Sequence, residues 1–157
     1  MSGASRMGRA RAIFSLDFLL DTNVVSEWVK PRPDPGVVAW LAEIDEDRAF
    51  ISVVTLAELR HGIERLAPGT RRSRLDTWLA DELPRRFEQR ILSIDPETTA
   101  QWGRVMRRSQ VAGRPLSVMD GFIAATAEHH GFTLATRNVS DFEALGLTVF
   151  NPWRHGE

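Results

Sequence analysis

Three carboxylates in this chain stand where an apolar run meets a helix. Asp21 follows Phe18-Leu19-Leu20, Glu58 comes seven residues after Ile51, and Asp120 lies at the mouth of a small-residue helix, Val118-Met119-Asp120-Gly121-Phe122-Ile123-Ala124-Ala125. Carboxylates held close together repel one another, and a divalent cation removes that penalty by neutralising them. The chain has no cysteine, so a metal would take oxygen or imidazole ligands, and an all-oxygen set favours Mg²⁺ or Mn²⁺. Such an ion polarises a phosphoryl oxygen, acidifies a bound water and orients it for in-line attack on a phosphodiester. If the three acids converge, the chemistry implied is metal-assisted hydrolysis.

Each acid also has a purely structural reading. Asp21 is a candidate N-cap for a helix beginning at Thr22, and Asp120, three residues after Ser117, forms a capping-box-like pair in a first turn that favours negative charge. Glu58 reads equally as a surface residue beside Arg60 and His61. Spacing leaves both readings open, although three acids against apolar segments are costly to bury without a compensating charge. His61, His129, His130 and His155 include no pair four residues apart on one helical face, so a zinc site is not expected. A Gly-rich phosphate loop followed by Lys-Ser/Thr and a Gly-x-Ser-x-Gly elbow are both absent.

The elements that must position these acids alternate between short apolar runs and helical patterns, which predicts a mostly parallel sheet with helices on both faces. Strands are expected at Phe18–Leu20, Ala49–Ile51, Ile91–Ile94, Phe132–Thr136 and Thr148–Phe150. Helices are expected over Thr22–Val29, from Pro35 behind an Asp34 cap, from Ser52 through Leu66, from Thr70 until Pro84 ends or kinks it, from Pro96 to near Gly113, and over Ser117–His130. Five strands with intervening helices make a three-layer α/β/α sandwich. In open parallel sheets ligands bind beyond the carboxyl ends of the strands, which is where Asp21 must lie.

A chain of 157 residues with 43% hydrophobic content is sized for one domain with a core. Residues 1–15 read as a flexible, arginine-containing leader and residues 16–157 as the single domain. The formal charge of −1 gives no global field toward a polyanion, and the basic charge is almost all arginine, with Lys30 the only lysine. Arg71, Arg72, Arg74, Arg85, Arg86 and Arg90 flank the helix after Gly69 and read as solvated surface. No apolar run approaches the roughly 20 residues that span a bilayer, and no signal peptide is recognised. The absence of cysteine fits a cytoplasmic protein.

Leu19-Leu20-Asp21-Thr22-Asn23-Val24-Val25-Ser26-Glu27 resembles the opening of a PIN-domain ribonuclease of the VapC toxin type, in its FitB-like branch. Three further motifs follow in the family's order: Ile51 through Gly62 around Glu58, Asp120 through Ala127, and Leu134-Ala135-Thr136-Arg137-Asn138. Phe150-Asn151-Pro152-Trp153 matches the usual FitB-like ending. The resemblance implies a PIN fold with strand order 3-2-1-4-5, Mg²⁺- or Mn²⁺-dependent cleavage of RNA, and a toxin role in a type II toxin-antitoxin pair. It also implies homodimerisation and inhibition by a small DNA-binding antitoxin that inserts near the active site. By motif match, Asp21, Glu58 and Asp120 take the catalytic, metal-binding positions, and Thr22, Asn23 and Ser26 orient carboxylates or the attacking water.

One departure stands out. The fourth acidic position of related proteins falls at Asn138, which brings no charge, and Asp141 lies one helical turn further on. This predicts one tightly held ion, with a second arriving only with RNA phosphate. Trp28, Trp40 and Trp78 are candidate antitoxin anchors if exposed, and core residues otherwise. Two other function classes remain: a PIN-fold RNA-binding or regulatory module without cleavage, and a receiver-like signalling domain. The second would need a buried lysine at the site, which Lys30 is badly placed to supply.

Overall fold

Phe18–Leu20 forms the central strand β1 of a five-stranded, all-parallel sheet in the order β3-β2-β1-β4-β5. The structure is a computed structural model that describes residues 16–157, so the expected leader lies outside the described residues. The remaining strands are β2 (Ala49–Ser52), β3 (Ile91–Leu92), β4 (Thr133–Ala135) and β5 (Val149–Phe150), each short, as in the sequence reading. Because successive residues of a strand face opposite sides, Leu20 joins the core on one face of the sheet while Leu19 joins the core on the other.

On the first face lie α1 (Thr22–Glu27), α2 (Pro35–Glu43) and much of α3 (Val53–Glu64), contributing Val24, Val25, Val37, Trp40, Leu59 and Ile63. Asp34 caps α2 through the Gly36 and Val37 N–H groups, at 2.9 and 3.2 Å, with proline at the first position. The second face is covered by α6 (Pro96–Val111), α7 (Val118–His130) and α8 (Val139–Glu143), with Val105, Ile123, Ala124, Ala127 and Phe142 in its core. Sequence periodicity passed over α8, whose five residues are too few to display a repeat. Among the described residues, no helix is long and apolar enough to cross a membrane.

Pro84 neither ends nor sharply breaks its helix. Helix α4 (Thr70–Thr77) widens into a π turn at Trp78–Glu82 and continues as α5 (Leu83–Arg86). The Leu83 N–H bonds to the Trp78 carbonyl, five residues back, so the ladder shifts register just before the residue that has no N–H to give. Arg71, Arg74 and Arg85 are exposed, as the surface reading has them, whereas Arg72, Arg86 and Arg90 make further contacts. Arg72 pairs with Glu64 at 2.8 Å, Arg86 with Glu46, and Arg90 donates to the carbonyls of Glu46, Ala49 and Arg86, tying the segment to the start of β2.

Trp40 is 5% exposed and packs edge-on against Phe18 and at a tilt against Phe150, which removes it from the candidate anchors for a partner. Its apolar neighbours at Val37 and Leu41 explain why. Phe87 follows α5, fully buried against Trp28. Replacing it by alanine deletes a ring from close-packed surroundings, so Phe87→Ala is expected to lower unfolding stability by about 3–5 kcal/mol in urea denaturation.

Candidate functional site

The pairing of β1 with β4 brings Leu20 opposite Ala135, so the residues that follow them, Asp21 and Thr136, are neighbours at the carboxyl edge of the sheet. The Asp21 N–H continues the ladder to the Ala135 carbonyl at 2.9 Å. One carboxylate oxygen of Asp21 caps α1, accepting from the Thr22 N–H at 2.7 Å. The other accepts from the Thr136 hydroxyl at 2.8 Å and the Asn23 amide at 3.4 Å. The structural reading of Asp21 as a cap thus holds for one oxygen, while the other is held by Thr136 and Asn23.

Glu58 reaches the same edge because Ser52 caps α3 at the end of β2, accepting from the Val54 N–H at 3.0 Å, and Glu58 follows on the next turns. Its Oε1 accepts from the Thr22 hydroxyl at 2.7 Å, and that hydroxyl also lies 3.0 Å from the Thr55 hydroxyl. Asp120 occupies the third position of α7, and its N–H donates to Ser117 Oγ at 3.1 Å, the capping arrangement the spacing suggested. Gly121 lets α6 approach here: a Cβ at that position would meet Met106 Sδ at 2.4 Å and Trp102 Nε1 at 2.9 Å. Trp102 in turn donates to the Val118 carbonyl at 3.1 Å, fixing the first turn that carries Asp120.

Asp21, Glu58 and Asp120 line one open pocket of about 330 Å³ together with Thr22, Asn23, Ser26 and Asn138. Among the described residues, no basic side chain lines it. Burial pushes the Asp21 carboxyl up to about 6; hydrogen bonds from Thr136 and Thr22 oppose the rise, and the charges of Asp120 and Glu58 add to it. Burial also raises Asp120, against the Ser117 hydrogen bond and with a further push from Asp141. The acids thus share a pocket and feel one another, yet they do not form a closed shell of touching oxygens.

Asn138, not Asp141, lines the pocket. Asp141 points its carboxylate to Arg114 at 3.4 Å, close enough to influence Asp120 by charge only. Thr22 and Asn23 orient Glu58 and Asp21, whereas Ser26 donates to the Asn23 carbonyl at 3.3 Å and touches no carboxylate. Sequence reasoning missed Thr136 and Thr55. Thr136 became recognisable only with the β1–β4 register; Thr55, three residues before Glu58, shared its helical face in plain view.

A mixed set that histidine spacing did not anticipate lies elsewhere. Asp95, Glu97 and His129 bring one ligand atom each within 4.8 Å of one another, at the other end of the α6–α7 pair. Asp95 is already engaged there as the cap of α6, accepting from the Thr98 N–H at 2.8 Å and the Thr98 hydroxyl at 2.7 Å, which holds its carboxyl below the ordinary range.

A model of the PIN domain matches residues 18–146. VapC ribonuclease Y4jK of Sinorhizobium fredii is 38% identical over 135 residues, covering 86% of this chain and 96% of that protein. Toxin FitB of Neisseria gonorrhoeae is also 38% identical, over 86% of this chain and 97% of its own length. Among solved structures, a FitAB complex bound to an IR36 DNA fragment superposes with a TM-score of 0.83 at 36% identity, covering 89% of this chain and 98% of that one.

The raised carboxyl of Asp21 has a measurable consequence for the metal-free protein. The folded state holds a proton that the unfolded state, at its ordinary value of 3.8, releases between about pH 4 and 6. Stability is therefore present below pH 4 and lost as pH rises through about 6. Asp21→Asn, which stays neutral and can still cap α1, is expected to stabilise the metal-free fold at pH 7.5 by about 1–2 kcal/mol and to flatten the decline between pH 4 and 6 in urea denaturation.

Proposed function

The chain belongs to the PIN-domain family, together with the VapC and FitB toxins, and from that membership we propose that it is a ribonuclease toxin whose divalent cation is held by Asp21, Glu58 and Asp120. The observation that carries this reading is the pocket itself. Three carboxylates line it, no basic side chain among the described residues joins them, and burial, with the charges of the other two acids, pushes Asp21 up to about 6. Oxygen donors alone, in an open pocket with room for water, fit a hard cation such as Mg²⁺ or Mn²⁺. When bound, such an ion supplies polarisation of the phosphodiester and a water acidic enough to attack it.

The chain's own residues prepare that chemistry. Thr136 and Asn23 hold one oxygen of Asp21, while the Thr22 hydroxyl holds Glu58, so two donors are oriented before any ligand arrives. Asp120 is fixed in its turn by Ser117 and by the Trp102 contact below it. A pocket open to solvent admits a single strand of RNA, and the proposed site of action is the cytoplasm. The proposed regulator is an antitoxin of the kind that accompanies FitB in the FitAB complex. Of the tryptophans considered as its anchors, Trp78 lines an open groove of about 900 Å³ with Val29, Pro31 and Leu75, whereas Trp28 is half-buried beneath Arg86. Homodimerisation is part of the proposal by family membership.

Cleavage of a labelled single-stranded RNA in Mn²⁺ is expected from the wild type and is expected to fall by about a hundredfold or more in Asp120→Asn and Asp21→Asn, with circular dichroism unchanged. Tight metal-independent binding of RNA without cleavage products would instead assign the chain to a non-cutting RNA-binding module. With neutral Asn138 in the fourth position, calorimetric titration of RNA-free protein with Mn²⁺ is expected to give one tight site; two equally tight sites would contradict it.

A further inference from the structure

A cation in the acid pocket answers the charge of the phosphate being cut, but the phosphates on either side of it carry charges of their own. Among the described residues, the pocket wall offers them only acids and neutral groups. Positive charge for the flanking strand must therefore come from the rim. Arg137 lies between Thr136, whose hydroxyl holds Asp21, and Asn138, which lines the pocket. Its backbone N–H donates to Asn23 Oδ1 at 3.4 Å, so the main chain that carries it is tied to the site.

The guanidinium of Arg137 rests over the Trp153 ring, 5.3 Å from the centroid. That ring packs against the core and sits in a turn whose start is capped by Asn151, the Trp153 N–H donating to Asn151 Oδ1 at 3.0 Å. Stacking restrains a planar cation without using any of its five N–H donors. Among the described residues no carboxylate pairs with Arg137. Arg114, by contrast, is engaged with Asp141 at 3.4 Å, and Arg108 is held by Glu128. A pre-positioned, solvent-exposed guanidinium with free donors beside a phosphodiester site matches the planar, bidentate recognition of phosphate.

We infer that Arg137 binds a backbone phosphate of the RNA strand adjacent to the one that is cut, which makes it a positioning residue for the reaction proposed above, on which this inference rests. It contacts charge and not bases, so its contribution is independent of RNA sequence.

The test compares the full chain with Arg137→Ala and Arg137→Lys on a labelled single-stranded RNA. Affinity is measured by fluorescence anisotropy in EDTA across a salt series, and cleavage in Mn²⁺ by steady-state kinetics. Arg137→Ala is expected to weaken binding about tenfold at low salt and to reduce the slope of log K against log salt by about 0.7, the share of one phosphate contact on a single strand. KM should rise in parallel while kcat changes little. Arg137→Lys should restore the slope with only part of the affinity, since a point charge replaces a bidentate fork.

An unchanged affinity and slope in Arg137→Ala would overturn the inference and leave the guanidinium to a carboxylate on a protein partner. Lost affinity with an unchanged slope and a lowered melting temperature would also overturn it, by assigning Arg137 to packing on Trp153. If the wild type binds RNA without cutting it, the nuclease reading falls and the salt series still decides the role of Arg137. If the wild type does not bind RNA, both fall.

Discussion

The arrangement turns on a carboxylate buried at the end of the central strand. Asp21 is 5% exposed, surrounded by neutral donors and by two other acids, and no cationic side chain among the described residues compensates it. Burying such a group is costly, and the surrounding sequence is organised to keep it in place despite that cost. The β1–β4 register sets Thr136 beside it, the helix that starts at Thr22 lends an N–H group, and Asn23 closes over it. A structure built for stability alone would have placed an asparagine or a serine there. The cation proposed for the pocket would supply the missing positive charge.

Helix caps position the three acids of the pocket, and Asp21 is both a cap and part of the lining, which has a geometric origin. At the carboxyl edge of a parallel sheet, each strand hands over to a helix whose first N–H groups lack partners. Asp21 and Ser52 stand at two such handovers, and Ser117 caps the helix that brings Asp120 to the same edge. Side chains that satisfy those groups are already pointed at the region where ligands bind. Asp21 uses one oxygen for the cap and leaves the other to the pocket side. The small residues of α7 complete the design, since Gly121 and its alanines let α6 come close enough for Trp102 to steady the turn that carries Asp120.

Much of this was legible in the chain. Short apolar runs marked the strands, the Asp34-Pro35, Asp95-Pro96 and Ser117-to-Asp120 caps marked helix starts, and the three acids were identified by type and by the segments they adjoin. Local chemistry governs all of these, and local chemistry is what a sequence displays. Pro84 was read as the end or a kink of its helix because a proline in an ordinary α-helix removes a hydrogen bond, whereas here a π turn precedes it and the helix continues to Arg86. Trp40 was left open between core and partner anchor because a lone tryptophan carries no record of what lies opposite it, and its burial answers for the core.

Residue types and spacing determined which groups are able to bind a hard cation, that the sheet is parallel, and that Asn138 brings no charge to the fourth position. Only the tertiary structure decided that Thr136 is the partner of Asp21, that Asp141 turns to Arg114, and that Arg137 is held by Trp153 instead of by an acid. Each of these pairs joins segments that meet only when the sheet is assembled or α6 and α8 are packed against it. Side-chain chemistry is carried by one residue, but a contact depends on strand register and helix packing, which arise from the whole fold.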